Sequence, residues 1–309
     1  MMNGLYTLAG LKISGSKLQL VEIFSDPSGV RLENLNEVVF AEPINFRADR
    51  TTKILAQLQS AYDEIRIRKP IKSGTLSFAL PLDLFYIVQI PCDNTLLSQD
   101  MLAELKWEFS ILYPFLDINE ISIQYYEVEK NSFITNNTAV VYGLERKYIQ
   151  ILENFCKKNN VNLGFIDNAH LASERALKAS NNFVKDGLRL SVYISRKRLS
   201  IIYLLDGKLI YQKVIETENS DDIGKLIRNE MASAKSIIVK REVIQAAYAT
   251  GDLVVDNYIS KMNFHTGLNF IVYNPFDKIT PISNLKNSPL FLQRYNTFSS
   301  AAGIAYRVA

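Results

Sequence analysis

A chain of 309 residues with 35 Lys and Arg against 32 Asp and Glu carries a formal charge of +3, too small by itself to argue for a nucleic-acid partner. Its 48% apolar fraction is ordinary for a globular protein and carries no signature of disorder. There are 13 glycines where about 22 would be usual, and none are spaced Gly-x-Gly-x-x-Gly, which excludes the familiar dinucleotide and kinase loops.

In chain order, residues 5–24 alternate apolar and polar side chains around Ser14-Gly15-Ser16, which predicts a β-hairpin. A third strand is expected near 38–40. Helical spacing of Ile54, Leu55, Leu58, Ala61 and Tyr62 predicts a helix over 51–65, closed by Pro70. From Gly74 onward the order is two strands (76–79 and 85–90), an amphipathic helix (100–112) ended by Pro114, two strands (121–128 and 138–142) and a helix (146–158). That succession is a small α+β module. After 161–167 and a helix over 169–180, polar residues 181–187 read as a linker.

The last third then reopens as the first did, with strands at 189–194, 199–205 and 209–216 separated by short turns. The same three-strand beginning at 5–40 and at 189–216 predicts a duplicated architecture of two α/β halves. A helix (221–235), strand (243–249), helix (252–262), strand (269–273) and a final helix (299–307) complete the chain.

Chemistry is scarce. Cys92 and Cys156 have no metal-ligand spacing, and His170 and His265 leave little for a triad or a metal. Gly10 to Lys17 holds two glycines at Walker spacing, but the lysine comes one position late and a strand follows where a helix is required. Glu216, Glu218, Asp221 and Asp222 read as helix capping and dipole matching, with a metal site as the alternative. Arg196-Lys197-Arg198 reads as a solvated turn, with an anion site as the alternative. The first residues lack the basic and long apolar regions of a signal peptide, and no apolar run approaches the ~20 residues of a membrane span. A soluble, cytoplasmic protein is expected.

Several stretches match one family in order and spacing: Gly10-Leu11-Lys12-Ile13-Ser14 through Glu22, Lys106-Trp107-Glu108 with Tyr113-Pro114-Phe115, Phe165-Ile166-Asp167, Asn274-Pro275-Phe276, and the closing 302–307. On these residues the chain resembles the PilM family of type IV pilus assembly proteins, in the FtsA-related actin-like ATPase superfamily. The resemblance implies an α/β actin-like (ribonuclease H-like, duplicated) fold with an inserted small α+β module and a reduced second-half lobe. It implies residues 1–73 plus 164–186 as the first actin-like subdomain, 74–163 as the insert, and 187–309 as the second half, whose final helix can pack back on the first.

Against the superfamily pattern, Lys12 stands at the position of the first hairpin's catalytic Asp and Ser14 at the following Gly, with Gly15 and Ser16 completing the turn. The second hairpin's Asp-x-Gly is Tyr193-Ile194-Ser195, and the adenosine loop's Gly-Gly is Thr250-Gly251. A side chain where backbone must approach phosphate obstructs the approach. The expectation is a non-enzymatic pseudo-ATPase with no cofactor, neither ATP nor Mg²⁺, and no catalytic or metal residues. The alternatives are a functional actin-like ATPase with a rearranged site, or an FtsA-like filament former. The resemblance further implies a scaffold of a pilus, secretion or competence machine, peripheral to the inner membrane. It would bind the cytoplasmic N-terminal segment of a PilN-like inner-membrane protein, with Phe85, Ile87, Val88 and Trp107 in the partner-facing regions. Self-association is open; no nucleic acid and no direct membrane contact are expected.

Overall fold

The computed structural model describes residues 6–27, 29–217, 222–233, 239–254 and 256–307. Strands β1 (Tyr6–Ile13) and β2 (Lys17–Asp26) form the first hairpin, with Ile13 opposite Leu18 across the small-residue turn. The third strand, β3 (Gly29–Val39), begins well before the expected 38–40. Its alternation is hidden in the sequence because Glu33 and Asn34 are buried polar residues, and the β2–β3 register shifts between Glu22 and Ile23.

Helix α1 (Thr51–Arg68) buries Ile54, Leu58, Ala61, Tyr62 and Ile65; Leu55 of the expected stripe is only half-buried, and the helix runs about one turn further than expected. Strand β4 (Thr75–Leu80) then pairs parallel to β1. The loop before β4 is pinned by Glu22, whose buried carboxylate accepts the backbone N–H groups of Lys72 (2.7 Å) and Ser73 (2.8 Å). Burial pushes the Glu22 carboxyl above its usual range, outweighing these two amides and the nearby Lys69 and Lys72.

The insert contributes β5 (Phe85–Pro91), α2 (Ser98–Leu112), β6 (Ile121–Val128), β7 (Thr138–Glu145) and α3 (Arg146–Lys158). The chain continues through β8 (Asn162–Asn168) and α4 (Ala169–Leu177) into β9 (Leu188–Ile194), β10 (Arg198–Leu205) and β11 (Lys208–Glu216). It ends with α5 (Ile223–Ser233), β12 (Ile244–Gly251), α6 (Asp256–Thr266), β13 (Phe270–Val272), β14 (Thr280–Pro281), α7 (Pro289–Gln293) and α8 (Ser299–Ala305).

The duplication is explicit in the sheets. One runs β3-β2-β1-β4-β8, extended at its β3 edge by β14; another runs β11-β10-β9-β12-β13. In each, the first three strands of the repeat are antiparallel neighbours and the last two pair parallel. Two sheets with the same order and the same directions, each opened by a hairpin, are the predicted pair of halves. Between β11 and β12 the described residues hold only α5 and a short 3-10 turn (Arg241–Val243).

The contacts divide the chain differently from the expected domain boundaries. One compact unit is Met1–Leu84, Tyr148–Phe183 and Tyr273–Ala309; the other is Phe85–Lys147 and Val184–Val272. Residues 74–84 and 148–163, expected in the insert, belong to the first unit because Phe155 of α3 packs edge-on against Tyr62 (5.2 Å) and Phe78 (6.1 Å). The Tyr148 hydroxyl also donates to the Phe46 carbonyl there. Residues 273–309, expected in the second half, all fall in the first unit, and the final helix packs back on the first half as expected. The Tyr273 hydroxyl donates to the Ser173 carbonyl (2.6 Å), and the buried face of α8 lies on α4 and β1.

In the second unit the three-stranded sheet β5-β7-β6 packs α2 on one face through Ile90, Met101, Leu105, Phe109, Ile121, Ala139 and Val141. Its other face meets β11, where the buried Tyr142 hydroxyl donates to Gln212 Oε1 (2.6 Å) and Gln89 donates to the Ile210 carbonyl (3.1 Å).

Candidate functional site

Each unit places one hairpin turn where the resemblance locates phosphate contacts. In the first, Lys12 lies on β1 opposite Gln19 and beside Ala79, and is only 2% exposed. The turn itself is closed by Ser14. Its Oγ accepts the N–H groups of Ser16 (3.3 Å) and Lys17 (3.2 Å), while its own N–H donates to the Lys17 carbonyl (3.0 Å). The carbonyls of Gly15 and Ser16 accept the amides of Ile44 (2.7 Å) and Phe40 (2.9 Å) from the loop after β3. A serine hydroxyl thus satisfies the amides that a glycine-bearing turn would leave pointing outward.

Lys17, the late Walker-like lysine, is ion-paired with Glu37 at 2.8 Å. Burial raises the Glu37 carboxyl, but Lys17 and Arg294 outweigh it and hold the group below the usual carboxylate range.

The second turn closes through its own serine in another way, with the hydroxyl bonding a carbonyl instead of capping amides. Tyr193 is buried in β9 opposite Ser200, and the N–H and hydroxyl of Ser195 both donate to the Arg198 carbonyl (2.9 and 3.0 Å). Arg198 pairs with Glu216 at 2.5 Å, leaving Arg196 and Lys197 exposed at the tip. Of the acidic cluster that includes Glu216, Glu218 and Asp221 lie outside the described residues; Asp222 bonds Lys225 at 3.2 Å.

At the end of β12, Thr250 and Gly251 stand beside Tyr193 and Ile194 in the parallel ladder. Gly251 has φ +126°, and a Cβ built on it would lie 2.2 Å from the Ile194 carbonyl oxygen. That carbonyl also accepts the Asp252 amide (2.9 Å), so the loop closes on its neighbouring strand. Among the described residues, no three His, Cys, Asp or Glu side chains stand close enough to hold a metal ion.

The residues expected to face a partner do not form one surface. Val88 packs with the cluster beneath α2. Phe85 and Ile87 point to the opposite face of the sheet, since side chains alternate along a strand and Ile87 pairs with Tyr142. Trp107 sits on the outer side of α2, 62% exposed. Beside it opens a cleft that sequence reading missed. Its lining comes from α2, from a 3-10 turn (Ile118–Glu120), and from Arg146 just past β7. The pairing of Ile121 with Glu145, the Arg146 bond to the Asn119 carbonyl and the packing of Leu105 and Phe109 with Ile121 bring these segments together, and no local pattern in the sequence signals that.

A chain of the PilM-PilN type IV pilus biogenesis complex superposes with a TM-score of 0.71 over 97% of this chain and 98% of that one, at 15% identity. The fold is the actin-like one. Two further structures share it more distantly. One is a Bacteroides thetaiotaomicron protein with actin-like ATPase fold and unknown function (TM-score 0.51, 11% identity, 96% and 95% covered). The other is the ethanolamine utilization protein EutJ from Carboxydothermus hydrogenoformans (TM-score 0.51, 8% identity, 97% and 89% covered). No protein-family model and no curated protein matches the sequence. The expected actin-like, duplicated α/β class is therefore borne out. Among the described residues no helix is long and apolar enough to cross a membrane.

Proposed function

We propose that this protein is a non-catalytic, actin-like scaffold of a type IV pilus or related secretion or competence machine. In this reading it works at the cytoplasmic side of the inner membrane and binds the cytoplasmic N-terminal segment of a PilN-like membrane protein. The fold likeness to a chain of a PilM-PilN complex supports the setting.

The observation that carries the loss of chemistry is the closure of the turns. The Ser14 hydroxyl caps two amides of its turn, the Ser195 hydroxyl bonds the Arg198 carbonyl across its own, and Gly251 lies against the Ile194 backbone. Lys12 and Tyr193 stand at the positions where the resemblance puts the two carboxylates that act on the metal and its water. Phosphate transfer without a metal-holding carboxylate or free loop amides lacks its main electrostatic stabilisation. Calorimetric titration with Mg-ATP is expected to give no saturable heat, and micromolar binding would favour the rearranged-site ATPase instead. Co-purification with a single-span membrane protein, lost when that protein's cytoplasmic N-terminus is deleted, tests the partner separately.

A further inference from the structure

We propose that the cleft beside Trp107 is a second docking site, built for a partner-protein segment that carries an Asp or Glu next to a bulky apolar side chain. The cleft holds ≈ 320 Å³ and is lined by Trp107, Ile118 and Ile121 as its apolar part and by Lys106 and Arg146 as its charged part. Both charged groups are cations. Among the described residues neither is ion-paired; Arg146 only donates its Nε–H to the Asn119 carbonyl (2.9 Å), which fixes its stem. A cleft that is half apolar and carries two cations with no ion-pair partner among the described residues is complementary to a carboxylate attached to an apolar group.

The surface continues beyond the cleft. Trp107 and Ile111 (53% exposed) lie four residues apart on the outer side of α2, and Phe115 follows at 73%. That stripe fits a peptide segment better than a small molecule, since half-exposed aromatic and aliphatic side chains in a row are what interface cores are made from. A lipid surface fits less well. Asp100, Glu104 and Glu108 recur every four residues along α2 beside the Trp107–Ile111 stripe, so a broad array of anionic headgroups is repelled, and the partner's carboxylate is admitted only at the cleft, beside Lys106 and Arg146. The inference rests on the lining of the cleft itself and not on the pilus reading, although the resemblance also puts Trp107 in a region facing a PilN-like segment.

Trp107 is the single tryptophan of the chain, so its emission reports on the cleft without labelling. Panning a random-peptide phage library on the full chain is expected to enrich sequences with Asp or Glu beside Leu, Ile, Phe or Trp. Synthetic copies lacking tryptophan should shift Trp107 emission to the blue saturably. Lys106→Glu should weaken them by about tenfold or more, and Arg146→Glu likewise. Lys106→Glu keeps the test independent of folding, since Lys106 anchors no loop, and circular dichroism checks both variants. The proposal is overturned by the absence of a consensus, by a basic consensus, or by binding that Lys106→Glu leaves unchanged. It is equally overturned if the emission responds to phosphatidylglycerol vesicles but not to the peptides, or shifts with protein concentration alone, which would make a second copy the occupant.

Discussion

Gly303 of α8 meets Ala172 of α4 with no space between the backbones: a Cβ on Gly303 would lie 1.7 Å from the Ala172 carbonyl oxygen and 3.0 Å from the Ala176 nitrogen. Around this contact Ala172, Ile304 and Ala79 form a fully buried cluster. In a free helix Gly→Ala stabilises by about 1 kcal/mol, so the sign of the effect here separates propensity from packing. Gly303→Ala is expected to destabilise the protein by about 3 kcal/mol, because α8 must lift from α4 and expose buried side chains. Urea unfolding of the two proteins, compared at their midpoints, reads this directly.

Gly251 is a second glycine whose side-chain hydrogen is required, for two reasons acting together. Its φ of +126° is costly for any residue with a Cβ, and that Cβ would collide with the Ile194 carbonyl. Gly251→Ala is expected to cost about 2–4 kcal/mol and to break the Asp252 amide's bond to Ile194. Hydrogen exchange at the Asp252 amide should accelerate more than at Tyr248 in the middle of β12, which distinguishes a local opening from uniform destabilisation.

The sequence displays its duplication because each half opens with alternating strands around a short turn, a period-two signal that Leu11, Ile13, Leu18 and Leu20 carry, and Val192, Ile194, Leu199 and Ile201 repeat. Long-range pairing was not readable. Strand β14 is two residues, one of them Pro281, held parallel to Arg31 and Leu32, and so short a ladder has no periodicity. The helix at 146–158 was visible, but nothing local says that Phe155 seeks Tyr62 and Phe78. Val88 and Ile87 show the limit at the candidate site: as strand neighbours they face opposite sides of the sheet, which naming the strand as a region does not resolve. The substitutions at Ser14 and Ser195 were legible as losses of glycine. That each serine would bond back into its own turn is a matter of rotamer and loop shape.

That back-bonding is testable at Ser14. Its Oγ serves the amides of Ser16 and Lys17 and donates to the Lys17 carbonyl at 3.2 Å. The bonds are long and the turn is partly solvated, so water can replace them in Ser14→Ala. A loss of about 1 kcal/mol is expected, near the mean for a single protein hydrogen bond rather than for three. Exchange of the Ser16 and Lys17 amides should rise, while the cross-strand amides of β2 keep their protection. An unchanged exchange rate at both positions would show that the hydroxyl does not hold the turn.

His170 gives the fold a pH dependence of defined sign. The side chain is wholly buried in α4, and burial pushes its pKa down from 6.5 to about 3. Glu174 Oε1 lies 4.0 Å from Nε2, a placement that would favour the imidazolium. Burial is the stronger effect, because 4.0 Å is beyond hydrogen-bond reach and charging the ring would forfeit its hydration. The native state therefore holds the ring neutral while the unfolded chain protonates it near pH 6.5. The stability contributed by the neutral ring is complete above pH 6.5 and is lost as pH falls from there toward 3, at up to about 1.4 kcal/mol per pH unit. Urea unfolding between pH 7.5 and 5 should show that slope in the wild type. His170→Gln, which lowers stability at every pH through lost packing, should flatten the slope by one proton's worth. Parallel curves for the two proteins would show that His170 titrates alike in the folded and unfolded states.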